Sequence, residues 1–599
     1  MRFDRGTKAL GLAAASALAL SACASVGGPS GGDEETGGAG GEGSGGVITV
    51  AETNNFTSVN SATTEHNKDI NGKINYMIRE GFTFVDSELN VVKNEGFGTY
   101  EVVSENPLTV EYTISEDQQW SDGNAVDQAD LMLWWATTSG YYNDAKTSEA
   151  GDVESGANYF SIAGSTDILD GTDLPEFSED GRTMTLTWDE PHADWELALS
   201  ASDGYLQPAH VVAEQAGMSE EDLLAALRDS PQGDPESPRE RPEVEQIAEA
   251  WDTAFNFAEM PSDESLLVSN GPYVITDIVK DQSVTLSKNE NYQGDHVGQV
   301  DEITVRTIGD STAQIQALRN GEVDIMAPVS VTKDTMDQVS SIEGVQVLEG
   351  PQLAYDHVDL NFGADIFEDQ AVREAFLKTI PRQQILDQLI KPVVENSEVL
   401  NSQLFVTSEE AYEGAVAENG AAEKYPAEPD IEGARRLLDG RTPTVRILYN
   451  SENPVRVDTF ALIKESAEQA GFTVEDLGDP LWGEKLAEGN YDTSLFGWVS
   501  PGVGTEALTQ IFKAGGGGNY NSYSNPEVDA LATDTRVTLD EEERRQKMYE
   551  MDRILFEDDY GLPLFQSPGM FGVAEDVNGV EYMANQTGVF WNFWEWSRG

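Results

Sequence analysis

The chain is 599 residues long and carries 108 Asp and Glu against 36 Lys and Arg, a formal net charge of −72. A field of that sign repels nucleic-acid phosphates and anionic lipid headgroups, which excludes nucleic-acid binding. The acidity reads as a solvated surface suited to solubility or salt, with a specific cation-binding role as the alternative, and the length with 11 Trp supplies core for more than one lobe.

At the amino terminus Arg2, Arg5 and Lys8 precede an apolar run from Ala9 to Leu20. That run is about twelve residues, short of the roughly twenty that span a bilayer as a helix, so residues 1–22 are predicted to be a secretory signal. Leu20-Ser21-Ala22-Cys23 looks like a bacterial lipobox, whose cysteine takes a lipid and becomes the first mature residue. Cys23 is the only cysteine, so no intramolecular disulfide forms, and acylation leaves no thiol for a metal or for catalysis. Residues 23–46 are rich in Gly, Ser and acid and cannot bury enough apolar surface to fold. They read as a tether with a root-mean-square reach of roughly 26 Å.

Val47-Ile48-Thr49-Val50 has strand composition and delivers a polar loop from Glu52 to Asn60. Leu108 to Ile114 alternates as a strand; Trp120-Ser121-Asp122-Gly123 turns the chain, and Asp127 with Asp130 caps the helix that contains Leu131, Leu133, Trp134 and Trp135. Pro208 to Ser265 is acidic, helical and broken by prolines, and is expected to be a surface excursion. Val274 to Val279 is a predicted strand after the turn Gly271-Pro272-Tyr273. Ala313 to Leu318 is a predicted helix that Asn320-Gly321 ends, before a strand from Val323 to Met326. Ala371 to Ile380 is a predicted helix with Val372, Ala375, Phe376 and Thr379 on one face. Val445 to Tyr449, Arg456 to Ala470 and Thr473 to Leu477 form a βαβ unit. A helix follows from Glu541 to Phe556. The aromatic end, Phe590 to Trp596, is expected to pack in a core, with ligand stacking as the alternative.

The five histidines, His66, His192, His210, His296 and His357, show no HExxH and no paired metal spacing. Gly28-Pro29-Ser30-Gly31-Gly32 matches G-x-S-x-G but lies in the tether without a flanking strand or helix. Gly515 to Gly518 lacks the Lys-Ser/Thr of a phosphate loop. No carboxylate pair stands out as an acid and base, so the expectation is a protein that is not an enzyme and needs no cofactor or metal.

The segment Leu108 to Leu131, then Asn270-Gly271-Pro272-Tyr273, Asn289 to Tyr292, Leu318 to Ile325, Asn361, Phe367, Val372-Arg373-Glu374-Ala375-Phe376, Tyr491-Asp492, Gly497-Trp498 and Tyr523 to Asp529 stand in one order. In that order they resemble the peptide and nickel class of ABC solute-binding proteins over about the whole mature chain. The resemblance implies an α/β, bilobal periplasmic-binding-protein-like fold, two lobes joined by two crossovers with a central ligand cleft. It implies lobe I at 47–327 and 566–599, and lobe II at 328–565, with the crossing near Pro328 and a return along Leu562-Pro563-Leu564-Phe565. Pro381 stands where relatives usually carry Asp. The implied function is a lipid-anchored, extracytoplasmic, monomeric binding component on the outer face of the cell membrane. It would pass peptides or similar-sized solutes to ABC permease subunits. The alternative is a cell-envelope scaffold or regulator of the same fold, as in actinobacterial lipoproteins that assist lipoglycan assembly.

Ligands of open α/β sheets sit beyond the carboxyl ends of the strands. That places the site between the loop Glu52, Asn54, Asn55, Phe56 and the segments of Tyr355, His357, Asn361, of Asn450, and of Trp498, Ser500, Val503. Relatives usually hold a peptide's amino group with an Asp a few residues after the Gly-Trp pair, and that acid is missing here. A buried ammonium without that acid would lack its charge partner at a cost of several kcal/mol, which argues against short peptides held by that contact. Either Glu506 or Glu52 substitutes, or the ligand is a larger peptide, a modified one or a glycolipid fragment.

Overall fold

The computed structural model describes residues 45–147, 153–163, 166–201, 205–328, 331–498 and 504–599. The signal segment, Cys23, most of the tether, Ser500 and Val503 lie outside the described residues. A mixed ten-stranded sheet orders the chain as Tyr273–Val279, Ser283–Lys288, Glu302–Thr307, Val47–Glu52, Ile325–Met326, Gly561–Ala574, Val345–Leu360, Thr493–Trp498, Thr444–Asn450 and Thr473–Asp479. Alternation sets their faces: Ile48 and Val50 are buried on one side of the first strand, and Ile303 and Val305 continue that side on its neighbour.

Two long strands join the halves of this sheet. Val345–Leu360 and Gly561–Ala574 pair antiparallel, Val345 to Pro351 with Ala574 to Pro568, then, after a register break, Tyr355 to Asp359 with Gln566 to Gly561. On one side of the break Gly561–Ala574 meets Ile325–Met326; on the other, Val345–Leu360 meets Thr493–Trp498. The chain therefore leaves the first half inside the strand Val345–Leu360. Between Pro328 and that strand, Val331, Met336, Val339 and Ile342 still pack with Ala51, Leu318 and Met326 of the first half.

The pairings fix the strand directions. Val47–Glu52 is parallel to Glu302–Thr307 and Ile325–Met326, and antiparallel steps through the long strands reach Thr493–Trp498, which is parallel to Thr444–Asn450. Thr473–Asp479 is parallel to Thr444–Asn450 in turn. The parallel strands of the first half consequently end toward the second half, and those of the second end toward the first.

Beside the first half lies a four-stranded antiparallel sheet of Gly98–Glu105, Leu108–Ile114, Thr183–Thr187 and Glu176–Phe177. Asp127 and Asp130 form the expected capping box on the helix Gln128–Thr138. The stretch from Pro208 to Ser265 corrects the sequence expectation. Its helices Ala209–Gln215, Glu220–Asp229 and Pro242–Thr253 bury Val212, Leu223, Leu227, Ile247 and Trp251 in the main core beside Ile48 and Trp135. Each helix keeps apolar residues three and four apart, enough to bury one face while the acidic face meets solvent. Phe590, Phe593 and Trp596 are buried in the same core, so at those three positions packing holds over ligand stacking.

The second half has its own core of Val358, Leu360, Phe376, Ile447, Ile463 and Leu495. Arg382, fully buried, ties it together by donating to the carbonyls of Leu400 at 2.7 Å and Pro563 at 3.3 Å, and to that of Tyr425. Pro381 offers no side-chain cap to the short helix Arg382–Ile385.

Candidate functional site

Trp498 ends the strand Thr493–Trp498 on the edge that faces the first half. It is half-buried, stacks on Tyr520 at 5.9 Å and 11°, and meets Phe496 edge-on at 5.3 Å. Tyr520 is 37% exposed, so the stacked pair keeps one side open. The neighbour Gly497 faces Asp356 across the ladder. A Cβ there would come within 2.4 Å of Asp356 Oδ1, whose carboxylate Arg456 holds in a fork, Nε to Oδ2 at 3.0 Å and Nη2 to Oδ1 at 2.9 Å. Glycine is needed at 497 because this ion pair occupies the space of a side chain, and the pair thereby sets the strand that carries Trp498. Arg456 is delivered by the helix Pro454–Ala470, capped by Asn453, and lies 5.5 Å over the Trp482 ring.

The other expected residues fall into three groups. Asn54 and Asn55 are exposed beyond the first strand, with the Asn54 amide donating to Asp69 at 2.8 Å, while Phe56 is buried against Phe257. Asn450 is half-buried at its strand end and turns the chain by accepting from the Glu452 amide at 2.9 Å. Tyr355, His357 and Asn361 are turned inward. The Tyr355 hydroxyl donates to the Gln403 carbonyl at 3.1 Å, and burial pushes its pKa far up. His357, 2% exposed, lies edge-on to Phe496 with Nε2 3.2 Å from Asp359 Oδ2. Asn361 spends its amide on the carbonyls of Gly489 and Tyr491 and its oxygen on the Gly363 amide. That corrects the expectation for Asn361 and His357: the first clamps a turn, and the second is covered by neighbouring aromatics.

Of the two acids expected to replace the missing Asp, Glu52 is engaged. It is buried, its carboxylate takes the Lys73 ammonium at 2.9 Å, and burial pushes its pKa up against the opposing pull of Lys73. Glu506 follows Thr505, is exposed and accepts from Gln510 Nε2 at 2.6 Å; partial desolvation by its neighbours and the charges of Asp167 and Asp194 raise its pKa. Asp167 and Asp194 belong to the first half and were absent from the expected site. Nothing local marks them, because Asp194 and Thr505 are 311 residues apart in sequence.

Asp130, His210 and Glu220 bring possible ligand atoms within 4.8 Å of one another. Asp130 already accepts from Trp120 Nε1 and from the amides of Asp127 and Ala209, and His210 Nε2 pairs with Asp122 at 2.9 Å. These partners make the set a cap and turn anchor.

Residues 97–520 match the family described as bacterial extracellular solute-binding proteins, family 5 middle. The chain belongs to this family. An uncharacterized lipoprotein of Mycobacterium tuberculosis is 27% identical over 531 residues, 86% of this chain and 87% of the relative. The oligopeptide-binding protein OppA of Mycobacterium tuberculosis is 26% identical over 509 residues, 82% of this chain and 74% of the relative. Among solved structures, a periplasmic EDTA-binding protein, EppA, superposes with a TM-score of 0.78 at 23% identity, over 94% of this chain and 98% of that one. The bilobal α/β fold expected from the motif order is therefore that of the family's structures. In this family 5 solute-binding protein two of the motifs fold around one helix end. Gly271 donates to the Ile78 carbonyl at 3.1 Å, Asn270 accepts from the Glu80 amide, Asn289 donates to the Gly271 carbonyl, and the Tyr292 hydroxyl donates to Glu80 at 2.7 Å. No helix among the described residues is long and apolar enough to cross a membrane.

Proposed function

We propose that this chain is the lipid-anchored substrate-binding component of an ABC importer, which takes peptides or solutes of similar size between its two halves and presents them to a membrane permease. The observation that carries this reading is the facing of the carboxyl ends of both sets of parallel strands, Glu52 and Met326 on one side, Asn450 and Trp498 on the other. Ligands of open α/β sheets bind at such ends. The half-open Trp498 and Tyr520 pair supplies an apolar stacking surface there. The likeness to an oligopeptide-binding relative supports peptides as the ligand class, and the likeness to a lipoprotein, with Leu20 to Cys23, supports the anchor.

The lobes meet at the register break in the long strands, where Pro351 to Tyr355 lies opposite Pro568 to Gln566, and closure is a bend at that place. The monomer binds ligand and no reaction follows. Native mass spectrometry of protein purified without denaturant tests the reading: a peptide or small molecule of defined mass comes with the folded chain. Protein that is empty, and that binds nothing from a synthetic pool of tripeptides to nonapeptides, would favour the envelope-scaffold alternative.

A further inference from the structure

The two halves also touch away from the long strands. Asp194, 9% exposed and carried by the first half, accepts on Oδ2 from both donors of Thr505, the backbone amide at 2.7 Å and Oγ1 at 2.8 Å. Beside it the Ala193 amide donates to the Arg536 carbonyl at 2.6 Å, and Arg536 Nη1 pairs with Asp167 at 2.9 Å. Thr505 and Arg536 both belong to the second half.

Three local features shape this contact. The Asp194 amide donates to His192 Nδ1 at 3.1 Å, which fixes the turn that presents the carboxylate. Burial pushes the His192 imidazole down, toward the neutral form that an accepting ring nitrogen requires. Gly504 has φ +144°, and a Cβ there would stand 3.1 Å from Asp194 Oδ2 and 3.3 Å from Leu197 Cδ1. Glycine lets the two halves approach to hydrogen-bonding distance.

We propose that Asp194 and Thr505 form a latch that holds the two halves together without ligand and so scales the affinity for every ligand taken between them. The inference rests on the solute-binding reading for its affinity arm alone. Hydrogen bonds to a carboxylate are about twice as strong as neutral ones, and both are lost at once if the halves part. The closed form is the one that grips ligand, so its population multiplies the apparent affinity. Asp194 and Thr505 are positioning residues in this scheme: they act on closure, and the ligand is touched by others.

Small-angle scattering of the unliganded mature protein tests the latch directly. Asp194→Ala and Thr505→Val should increase the radius of gyration, Thr505→Ser should restore it, and circular dichroism should stay unchanged in all three. Titration with the tripeptide-to-nonapeptide pool should show affinity weakened by roughly tenfold for every bound peptide in Asp194→Ala, with the order of preference kept. An unliganded radius equal to wild type in Asp194→Ala and Thr505→Val would overturn the proposal. A changed order of preference would overturn it too, since that would make Asp194 a ligand contact. If wild type binds no peptide, the ligand class of the functional reading falls while scattering still judges the latch.

Discussion

Replacing Gly497 by Ala probes how the site is held. The added methyl would stand 2.4 Å from Asp356 Oδ1 and 3.1 Å from both Arg456 Nη2 and the Tyr355 carbonyl. The carboxylate cannot swing aside freely, because Arg456 grips both its oxygens and the side chains of Arg456 and Asp356 are 14% and 7% exposed. Breaking a buried pair by removing one partner costs about 3–5 kcal/mol, and that is the expected loss for Asp356→Ala. Overpacking typically costs about 1–3 kcal/mol, so Gly497→Ala alone should fall near the top of that range. In the double variant the methyl enters space that the carboxylate has vacated. Its loss should match that of Asp356→Ala alone, a coupling of about 1–3 kcal/mol. Urea denaturation of the four proteins, followed by tryptophan fluorescence, measures the cycle; urea carries no charge and leaves the ion pair unscreened. Losses that simply add, or a harmless Gly497→Ala, would refute the steric link between this glycine and the ion pair.

Trp498→Ala should weaken binding of the copurified ligand or peptide pool by more than about tenfold, about 1.4 kcal/mol. Because Trp498 also packs on Phe496 and Tyr520, the melting temperature should fall moderately, whereas Trp498→Phe should keep the melt; equal affinity in calorimetry would remove Trp498 from the site. Cys23→Ala should leave the protein unprocessed or release it from membranes, and retention through a carbonate wash would require a second anchor. Burial pushes Asp252 and Asp552 up to about 6, Glu409 to about 7 and Asp130 to about 8. Folded-state values above the ordinary carboxyl range mean stability that is present when these groups are protonated and lost as pH rises through them. The melting temperature should therefore be higher near about pH 5 than near about pH 8, and calorimetry showing the reverse order would contradict these burial effects.

Part of the sheet was legible because strand alternation is a local signal: Thr444–Asn450, like Leu108–Ile114 in the four-stranded sheet, reads directly from apolar residues two apart, whereas Ser283–Lys288, Glu302–Thr307, Val345–Leu360 and Thr493–Trp498 were not predicted as strands. Prolines and acids dominate the composition of the helices after Pro208 and mask their burial, although the spacing of Leu223 with Leu227 and of Val244 with Ile247 and Trp251 marks a buried face. At the site, the candidacy of Trp498 was legible through its Gly-Trp motif, and its contact with ligand is a proposal. The engagement of Glu52 was not legible, since Lys73 meets it only after the chain has turned into the helix Asp69–Ile78. Asn361 and His357 follow or lie in a strand beside the cleft, and sequence does not say which way a strand-end side chain turns.

The long strands Val345–Leu360 and Gly561–Ala574 remain laddered to each other on both sides of their register break. Sliding one half along the other would cost the whole ladder, whereas bending at the break disturbs a few pairs. Each wall of the cleft is consequently a cassette with its own core, entered and left by two strands that already pair with each other. A relative's segment equivalent to 355–566 can be grafted through those two seams without a new loop to close. Such chimeras would let the contribution of each wall to ligand choice be exchanged separately.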